Sequence, residues 1–252
     1  MPDFMTAQFT AYFLVFARLG SMLMVMPALG DENVPSRVRL LFALTLSLVV
    51  LPVVLVSLPP MPRTLPATTA LLIGEIIVGL MLGMAVRILF SAVQLAGTVI
   101  GFQSGLSGAM VFDPAQGGQT ILVSRFLNML AVVLVFSTDL HHLMLAGMVR
   151  SYALFRPGGD MMGGDFAMLS VQMLSHAFAL GMQMAAPFLV YGLVFNVGLG
   201  LMARLTPQIQ VFFIAQPLGI VLSLLLLLAL IGTIMTVFLD RFGEGLRTLM
   251  GG

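Results

Sequence analysis

Long apolar stretches separated by short polar segments dominate the pattern along this chain. The apolar runs cover residues 4–29, 38–58, 67–100, 119–137, 141–155, 166–203 and 205–239. A spanning helix needs roughly 20 mainly apolar residues, so most of these runs are long enough to cross a bilayer. The last two runs are longer than one bilayer requires. The pattern therefore predicts an all-α membrane protein.

Polar and proline-rich segments predict where the helices break. Pro35 in GDENVPSRVR suits a helix start, and Pro52 is expected to kink or end the second run. SLPPMPRTLP, residues 57–66, contains four prolines and is predicted to be a non-helical linker. TDLHH, residues 138–142, predicts a hairpin or a bent helix. We expect a single domain over residues 1–252, with an amphipathic tail at 239–252.

Composition supports the membrane interpretation and excludes other classes. Of 252 residues, 60% are hydrophobic, and 11 basic and 10 acidic side chains give a net charge of +1. Nucleic-acid binding requires a basic patch, so that class is excluded. The chain has no cysteine and three histidines, which leaves little for a metal site. We expect no disulfide, no metal and no cofactor.

Four charged residues lie inside or beside apolar runs: Arg18, Glu75, Arg87 and Arg125. A charge at the bilayer centre costs about 2.5–3.5 kcal/mol on insertion scales, so these groups should face protein or water. Glu75 and Arg87 are separated by about 120° and about 18 Å on a straight helix and cannot pair there. We expect buried ion pairs with other helices that fix helix register. Contacts with other subunits, or a role in ion movement, are the alternatives.

Glycine spacing predicts close contact between helices. Gly79 and Gly83 form a GxxxG pattern, and Gly97, Gly101 and Gly105 repeat the same spacing. Small residues at this spacing let helix backbones approach closely. We therefore assign the first four of these glycines to helix packing and assembly.

The segment GFQSGLSGAMVFDPAQGGQT, residues 101–120, interrupts the apolar pattern and allows several interpretations besides an ordinary loop. One is an intramembrane serine protease, because Gly105-Leu106-Ser107-Gly108 resembles the GxSG of rhomboid enzymes and His176 is a possible base. However, Phe112-Asp113-Pro114 would end the helix that should carry the serine. Another is an unwound helix of a secondary transporter, with Pro207 and Pro217 marking a second break.

A third interpretation is a movable plug. Non-helical backbone at membrane depth is tolerated only where protein buries it or where it lines an aqueous cavity. Large apolar residues alternate with glycines in this segment and could fill a pore, while polar residues anchor its ends. The predicted plug residues are Phe102, Gln103, Gly105, Leu106, Ser107, Gly108, Met110, Val111, Phe112, Asp113 and Pro114.

Three motifs occur in order along the chain: MPALGDENVPSRVR at 26–39, GFQSGLSGAMVFDP at 101–114 followed by LVSRFLNMLA at 122–131, and GLGLMARLTPQIQVFFIAQPLGI at 198–220. With these motifs the chain resembles the FliR family of the flagellar type III export apparatus and its virulence-secretion relatives. The resemblance extends over nearly the whole chain. In the third motif we assign six residues to assembly and helix bending: Arg204, Pro207, Gln208, Gln210, Gln216 and Pro217.

The resemblance implies a non-enzymatic subunit of an export gate in the bacterial cytoplasmic membrane, at the flagellar basal body. It implies kinked helical hairpins assembled into a helical complex with FliP-like and FliQ-like subunits, beside FlhB-like and FlhA-like proteins. Unfolded flagellar proteins would be the substrates, and the 101–120 segment would contribute to a plug that closes the pore by dewetting. A virulence secretion subunit is the related alternative.

Overall fold

Seven α-helices make up nearly all of the structure, a computed structural model that describes residues 2–30, 34–60, 64–105, 119–159, 163–205 and 211–249. The helices are α1 (Pro2–Val25), α2 (Ser36–Val54), α3 (Leu65–Gln103), α4 (Gln119–Ser137), α5 (Leu140–Leu154), α6 (Gly163–Leu205) and α7 (Val211–Leu249). A short 3-10 turn, Leu55–Ser57, follows α2. These ranges contain no β-strand, so the predicted all-α class is confirmed.

Prolines in the sequence correctly predicted both ends of α2 but not the start of α3. α2 begins directly after Pro35 and ends two residues beyond Pro52. The linker prediction is wrong at its C-terminal end, because Leu65 and Pro66 already belong to α3. A proline is tolerated in the first turn of a helix, where its missing N–H has no intrahelical partner to lose.

The break between the sixth and seventh apolar runs lies within residues 206–210, outside the described ranges. Residues 239–249 continue α7 as its last turns. The two runs on either side of TDLHH form separate helices, with Asp139 at the break in a left-handed conformation at φ +60°. Aspartate adopts this conformation more readily than most side chains.

Within the described residues, five helices are long and apolar enough to cross a membrane, and α4 with α5 would make a sixth if counted as one broken span. The prediction of a multispanning membrane protein is therefore confirmed.

The helices divide into two compact units, and the long helices α3, α6 and α7 contribute residues to both. The first unit comprises residues 1–89, 136–174 and 243–252. In it α1 packs along α2, where the Tyr12 hydroxyl donates a hydrogen bond to the Leu44 carbonyl oxygen at 3.1 Å. Its buried side chains include Leu14, Leu19, Leu23, Met26, Met148 and Tyr152.

The second unit comprises residues 90–135 and 175–242. Three phenylalanines form its aromatic core: the Phe90 ring meets Phe238 and Phe242 edge-on at centroid distances of 5.5 and 5.8 Å. Phe238 and Phe242 stack on each other at 5.4 Å. Further buried residues of this unit are Val93, Ala96, Ile100, Leu127, Ala131 and Phe188.

Candidate functional site

The end of α3 is the part of the predicted plug that the structure describes. The Ser104 N–H donates to the Ile100 carbonyl at 2.8 Å, and the Gly105 N–H donates to Phe102 at 3.2 Å. Gly105 itself lies in the left-handed region, with φ +73°. A glycine in this conformation commonly ends a helix, because a β-carbon would clash with the following backbone. α3 therefore continues three residues into the predicted 101–120 segment, to Gln103, and the chain leaves the helix at Gly105.

A side chain from α7 holds this helix end. The Gln216 amide nitrogen Nε2 donates a hydrogen bond to the Gly105 carbonyl oxygen at 2.9 Å. The Gly105 carbonyl lies beyond the last turn of α3, so Gln216 supplies it with a donor that the helix itself does not. Sequence reasoning placed Gly105 in the plug and Gln216 in assembly and helix bending. The structure brings the two residues together.

A polar pocket surrounds this contact within the second unit. Its volume is about 220 Å³, and its polar lining comes from Gln103, Ser104, Tyr191, Asn196 and Gln216. The Gln103 side chain rests against the backbone of Gly192 on α6, where a β-carbon would overlap its amide. The pocket thus joins the ends of α3, α6 and α7 through amide and hydroxyl groups.

The α6–α7 wall of the pocket is held by aromatic residues. The Tyr191 hydroxyl donates to the Gly219 carbonyl at 2.7 Å, and the Phe195 ring covers Gly219 and stacks on Tyr191. A side chain at Gly219 would meet that ring at 2.8 Å. The sequence did not lead us to predict Tyr191, Phe195 or Asn196 as site residues. Their spacing, which places three polar or aromatic residues near one face of an apolar helix, was the pattern that could have indicated them.

The structure places only part of the predicted plug. Phe102 is 64% exposed, and Gln103 is half-buried. The remaining plug residues, from Leu106 to Pro114, lie outside the described residues. Ser107, the nucleophile of the protease interpretation, is among them, and His176 is exposed on α6.

The first unit contains a buried ion pair between α1 and α3. Arg18 Nε donates to Glu75 Oε2 at 2.6 Å and Arg18 Nη2 donates to Glu75 Oε1 at 2.8 Å, with both side chains buried. This is the two-point geometry that arginine and carboxylate groups favour. The expected ion pair with another helix is therefore present for Glu75, and its partner is Arg18.

Arg18 also joins α5 to this pair. Its Nη1 donates to the carbonyls of Ser151 at 3.2 Å and Phe155 at 2.9 Å, at the C-terminal end of α5. The guanidinium lies 4.2 Å from the centroid of the Tyr152 ring. A cation at a helix C-terminus interacts favourably with the helix dipole and the unpaired carbonyls. One buried arginine thus fixes three helices of the first unit.

The predicted packing glycines lie where backbones approach closely. A β-carbon at Gly79 would collide with the Arg18 carbonyl and the Ser21 hydroxyl, and one at Gly83 would lie 2.7 Å from the Met22 carbonyl. α3 therefore contacts α1 through these two glycines. Gly97 lies against the backbone of Ser124 on α4, and Gly101 is buried. The contacts described for Gly79, Gly83 and Gly97 are with helices of the same chain.

The other predicted assembly residues have different surroundings. Arg87 is exposed and makes a long contact of 3.5 Å to the Val25 carbonyl. Arg125 and Arg204 are exposed, and Pro217 is exposed inside α7. Pro207, Gln208 and Gln210 lie outside the described residues. Because Arg87, Arg125, Arg204 and Pro217 are exposed, their side chains are available for contacts with other molecules.

One cluster of potential metal ligands occurs in the described part of the chain. Ligand atoms of Asp139, His141 and His142 lie within 4.8 Å of one another at the start of α5. His142 Nδ1 is 3.3 Å from Asp139 Oδ1, a spacing typical of a local (i, i+3) pair. Asp139 and His142 are exposed, and we assign the cluster to the turn between α4 and α5.

The fold and these contacts define an all-α, multispanning membrane protein with a polar site among the ends of three long helices. Residues 9–245 match the family described as "Bacterial export proteins, family 1". The chain belongs to this family.

Individual relatives support the assignment. The chain is 42% identical over 231 residues to the flagellar biosynthetic protein FliR of Caulobacter vibrioides, covering 92% of each chain. It is 31% identical to FliR of Bacillus subtilis, covering 96% of this chain and 93% of the relative. Yop proteins translocation protein T of Yersinia pestis is 30% identical over 64% of this chain and 62% of its own length. The predicted membership of the FliR group is confirmed.

Proposed function

We propose that this chain is a subunit of a flagellar type III protein export gate in the bacterial cytoplasmic membrane. In the proposal it assembles with FliP-like and FliQ-like subunits, beside FlhB-like and FlhA-like proteins. Unfolded flagellar proteins cross the membrane through the shared pore, and the chain performs no catalysis. The observation that carries the proposal is the similarity to FliR proteins over nearly the full length of both chains.

The length of the apolar helices supports an assembly with other chains. α3 and α7 each contain 39 residues and α6 contains 43. At about 1.5 Å per residue, a 39-residue helix is about 58 Å long, whereas the hydrocarbon core of a bilayer is about 30 Å thick. If such a helix crosses the bilayer at a right angle to its plane, roughly half of its length lies outside the hydrocarbon core. Contacts with other protein subunits would bury the apolar side chains of the part outside the bilayer.

Exposed apolar side chains support the same conclusion. Only 22% of the residues in the most apolar window of α7 are buried within the chain. Leu218, Leu225 and Leu228 are exposed on this helix by 56%, 56% and 72%. Contiguous apolar surface of this kind indicates contact with lipid or with other proteins. Because the helices exceed the bilayer, we assign part of this surface to neighbouring subunits.

The end of α3 supports a plug in the 101–120 segment. Gly105 ends the helix, and Gln216 fixes its carbonyl to α7. The chain therefore leaves the helix from a defined point next to a polar pocket. In the proposal the following residues fill the pore at rest, and exported polypeptide displaces them.

Deleting residues 106–116 tests the plug. We expect cells that carry the deletion to leak ions and small solutes, while the deleted chain still co-purifies with FliP-like and FliQ-like subunits. Uptake of a small dye and the membrane potential are the measurements. A correctly assembled complex that leaks no more than the wild type would contradict the plug role.

Gly105→Ala provides a milder test of the same role. A non-glycine residue in the left-handed region costs about 1–2 kcal/mol, which converts to roughly a 5- to 30-fold shift toward conformations that relieve the strain. We expect a smaller leak than the deletion gives. Gly200→Ala on α6 is the matched control, because open space surrounds that glycine. Equal leakage from the two substitutions would exclude backbone strain at Gly105 as the cause.

A virulence secretion gate is the second candidate function. The similarity to the Yersinia translocation protein favours it, although that match covers less of both chains. Deleting the gene distinguishes the two, because only the flagellar role predicts loss of the filament. Co-purification identifies the partner subunits in either case.

A further inference from the structure

The polar pocket at the end of α3 has an unusual chemical character for this chain. Side-chain amides of Gln103, Asn196 and Gln216 line it together with the Tyr191 hydroxyl, among helices that are otherwise strongly apolar. Asn196 Nδ2 donates to the Gly192 carbonyl at 2.7 Å, which leaves its amide oxygen as an acceptor. Amide groups both donate and accept hydrogen bonds, as the peptide main chain does. A cluster of amides therefore matches a peptide backbone regardless of the sequence that it carries.

One of these amides already binds main chain in a non-helical conformation. Gln216 Nε2 donates to the carbonyl oxygen of Gly105, whose φ of +73° lies outside the helix. The contact is partly buried, and the pocket of about 220 Å³ adjoins it. This volume is below the roughly 300–1,000 Å³ of pockets that enclose a drug-sized molecule, so the pocket has room for a short stretch of main chain rather than for a whole ligand of that size.

Aromatic rings border the pocket beside the amides. Phe102 is exposed, Phe195 is half-buried, and both line the cavity. Rings in such positions contact apolar parts of many different side chains without selecting one of them. Hydrogen bonds to the main chain combined with such contacts recognise extended polypeptide with little sequence preference.

We propose that this pocket binds the main chain of the exported polypeptide and that Gln216 exchanges the Gly105 carbonyl for a carbonyl of the substrate. The inference rests on the proposed export function. The exchange replaces one amide–carbonyl hydrogen bond by another, so the donor on Gln216 is satisfied before and after it.

Site-specific photocrosslinking in the assembled gate tests the proposal. A photoreactive phenylalanine analogue replaces Phe195, and an export substrate fused to a stably folded domain is stalled in the gate. Val197 is the matched control: it is 55% exposed on the same helix, and two helical residues place it about 200° from Phe195. We expect substrate adducts at least five times more abundant from position 195 than from position 197.

A second variant tests the role of the amide. Gln216→Leu keeps similar bulk but removes the donor, and we expect it to reduce the adduct at position 195 at least threefold. We also expect it to increase the leak without substrate, because the Gly105 carbonyl loses its partner. Co-purification of the partner subunits verifies that the variant assembles.

The outcomes separate this inference from the proposed function. Equal adducts at positions 195 and 197, no adduct at 195, or an adduct unchanged by Gln216→Leu would overturn the pocket proposal. If deletion of residues 106–116 still causes a leak in those cases, the plug role stands without the pocket. An absent leak in a deleted, assembled complex would instead refute the plug role, and the crosslinking result alone would then decide the pocket proposal.

Discussion

Replacing Glu75 by glutamine removes the negative charge from a buried pair and leaves the arginine in place. Arg18 is fully buried and Glu75 nearly so, and two hydrogen bonds of 2.6 and 2.8 Å join them. Glutamine has nearly the same shape, so the substitution changes charge and donor pattern with little change in packing. One hydrogen-bond acceptor of the carboxylate becomes a donor that faces the guanidinium.

The expected cost follows from the uncompensated charge. Removing one partner of a buried ion pair costs about 3–5 kcal/mol, because the remaining charge loses its partner but not its burial. This range corresponds to a roughly 100- to 4,000-fold change in the unfolding equilibrium. Arg18 keeps its bonds to the Ser151 and Phe155 carbonyls, which places our expectation near the lower end.

Denaturant unfolding of the purified gate complex measures this effect, together with the amount of chain that co-purifies with its partners. Arg150→Gln is the control, because Arg150 is an exposed charge in the same unit, where substitutions usually change stability by no more than about 0.5 kcal/mol. If Glu75→Gln costs no more than Arg150→Gln, the structural role of the pair is refuted. A stable, assembled complex that has lost proton coupling would instead support a role in ion movement.

A double substitution distinguishes the cost of an unpaired buried charge from the contribution of the other contacts at this position. Arg18→Met with Glu75→Leu removes both charges together, and apolar replacements of buried ion pairs are often neutral or stabilising. We expect the double variant to recover much of the stability lost in Glu75→Gln. A double variant less stable than Glu75→Gln would show that hydrogen bonds from Arg18 to α5 contribute more than the pair itself.

Two pairs of substitutions, one pair in each unit, test packing by unfolding measurements. Gly79→Ala should destabilise the first unit by about 1–3 kcal/mol, because its β-carbon meets the backbone of α1. Its control is Gly74→Ala, which should be neutral or slightly stabilising because open space surrounds that glycine. Phe238→Ala should cost about 3–5 kcal/mol by emptying a fully buried aromatic site, whereas the exposed Phe178→Ala should change stability little. Equal effects within either pair would contradict the packing described here.

Hydrophobic periodicity and prolines predicted the number, type and approximate ends of the helices. Helix formation in an apolar chain is a local property, since every backbone hydrogen bond closes within a few residues. The same local reasoning placed Leu65 and Pro66 outside α3, because it treated all four prolines of the linker alike.

The sequence by itself determined that Glu75 must face protein or water, and that Gly79 and Gly83 allow close approach of another helix. These conclusions require only the cost of a buried charge and the spacing of small residues along one helix. Only the tertiary structure decided that Arg18 is the partner and that α1 is the contacted helix.

The end of α3, where the predicted plug segment leaves the helix, was likewise predicted only in part. The glycines and Asp113-Pro114 predicted an interruption after residue 101, whereas the meeting of Gly105 with Gln216 became visible only in the fold. These two residues are 111 positions apart, and no periodic pattern links positions so distant. Pairings between helices depend on how whole helix surfaces fit together, and a one-dimensional pattern contains the surfaces but not their fit.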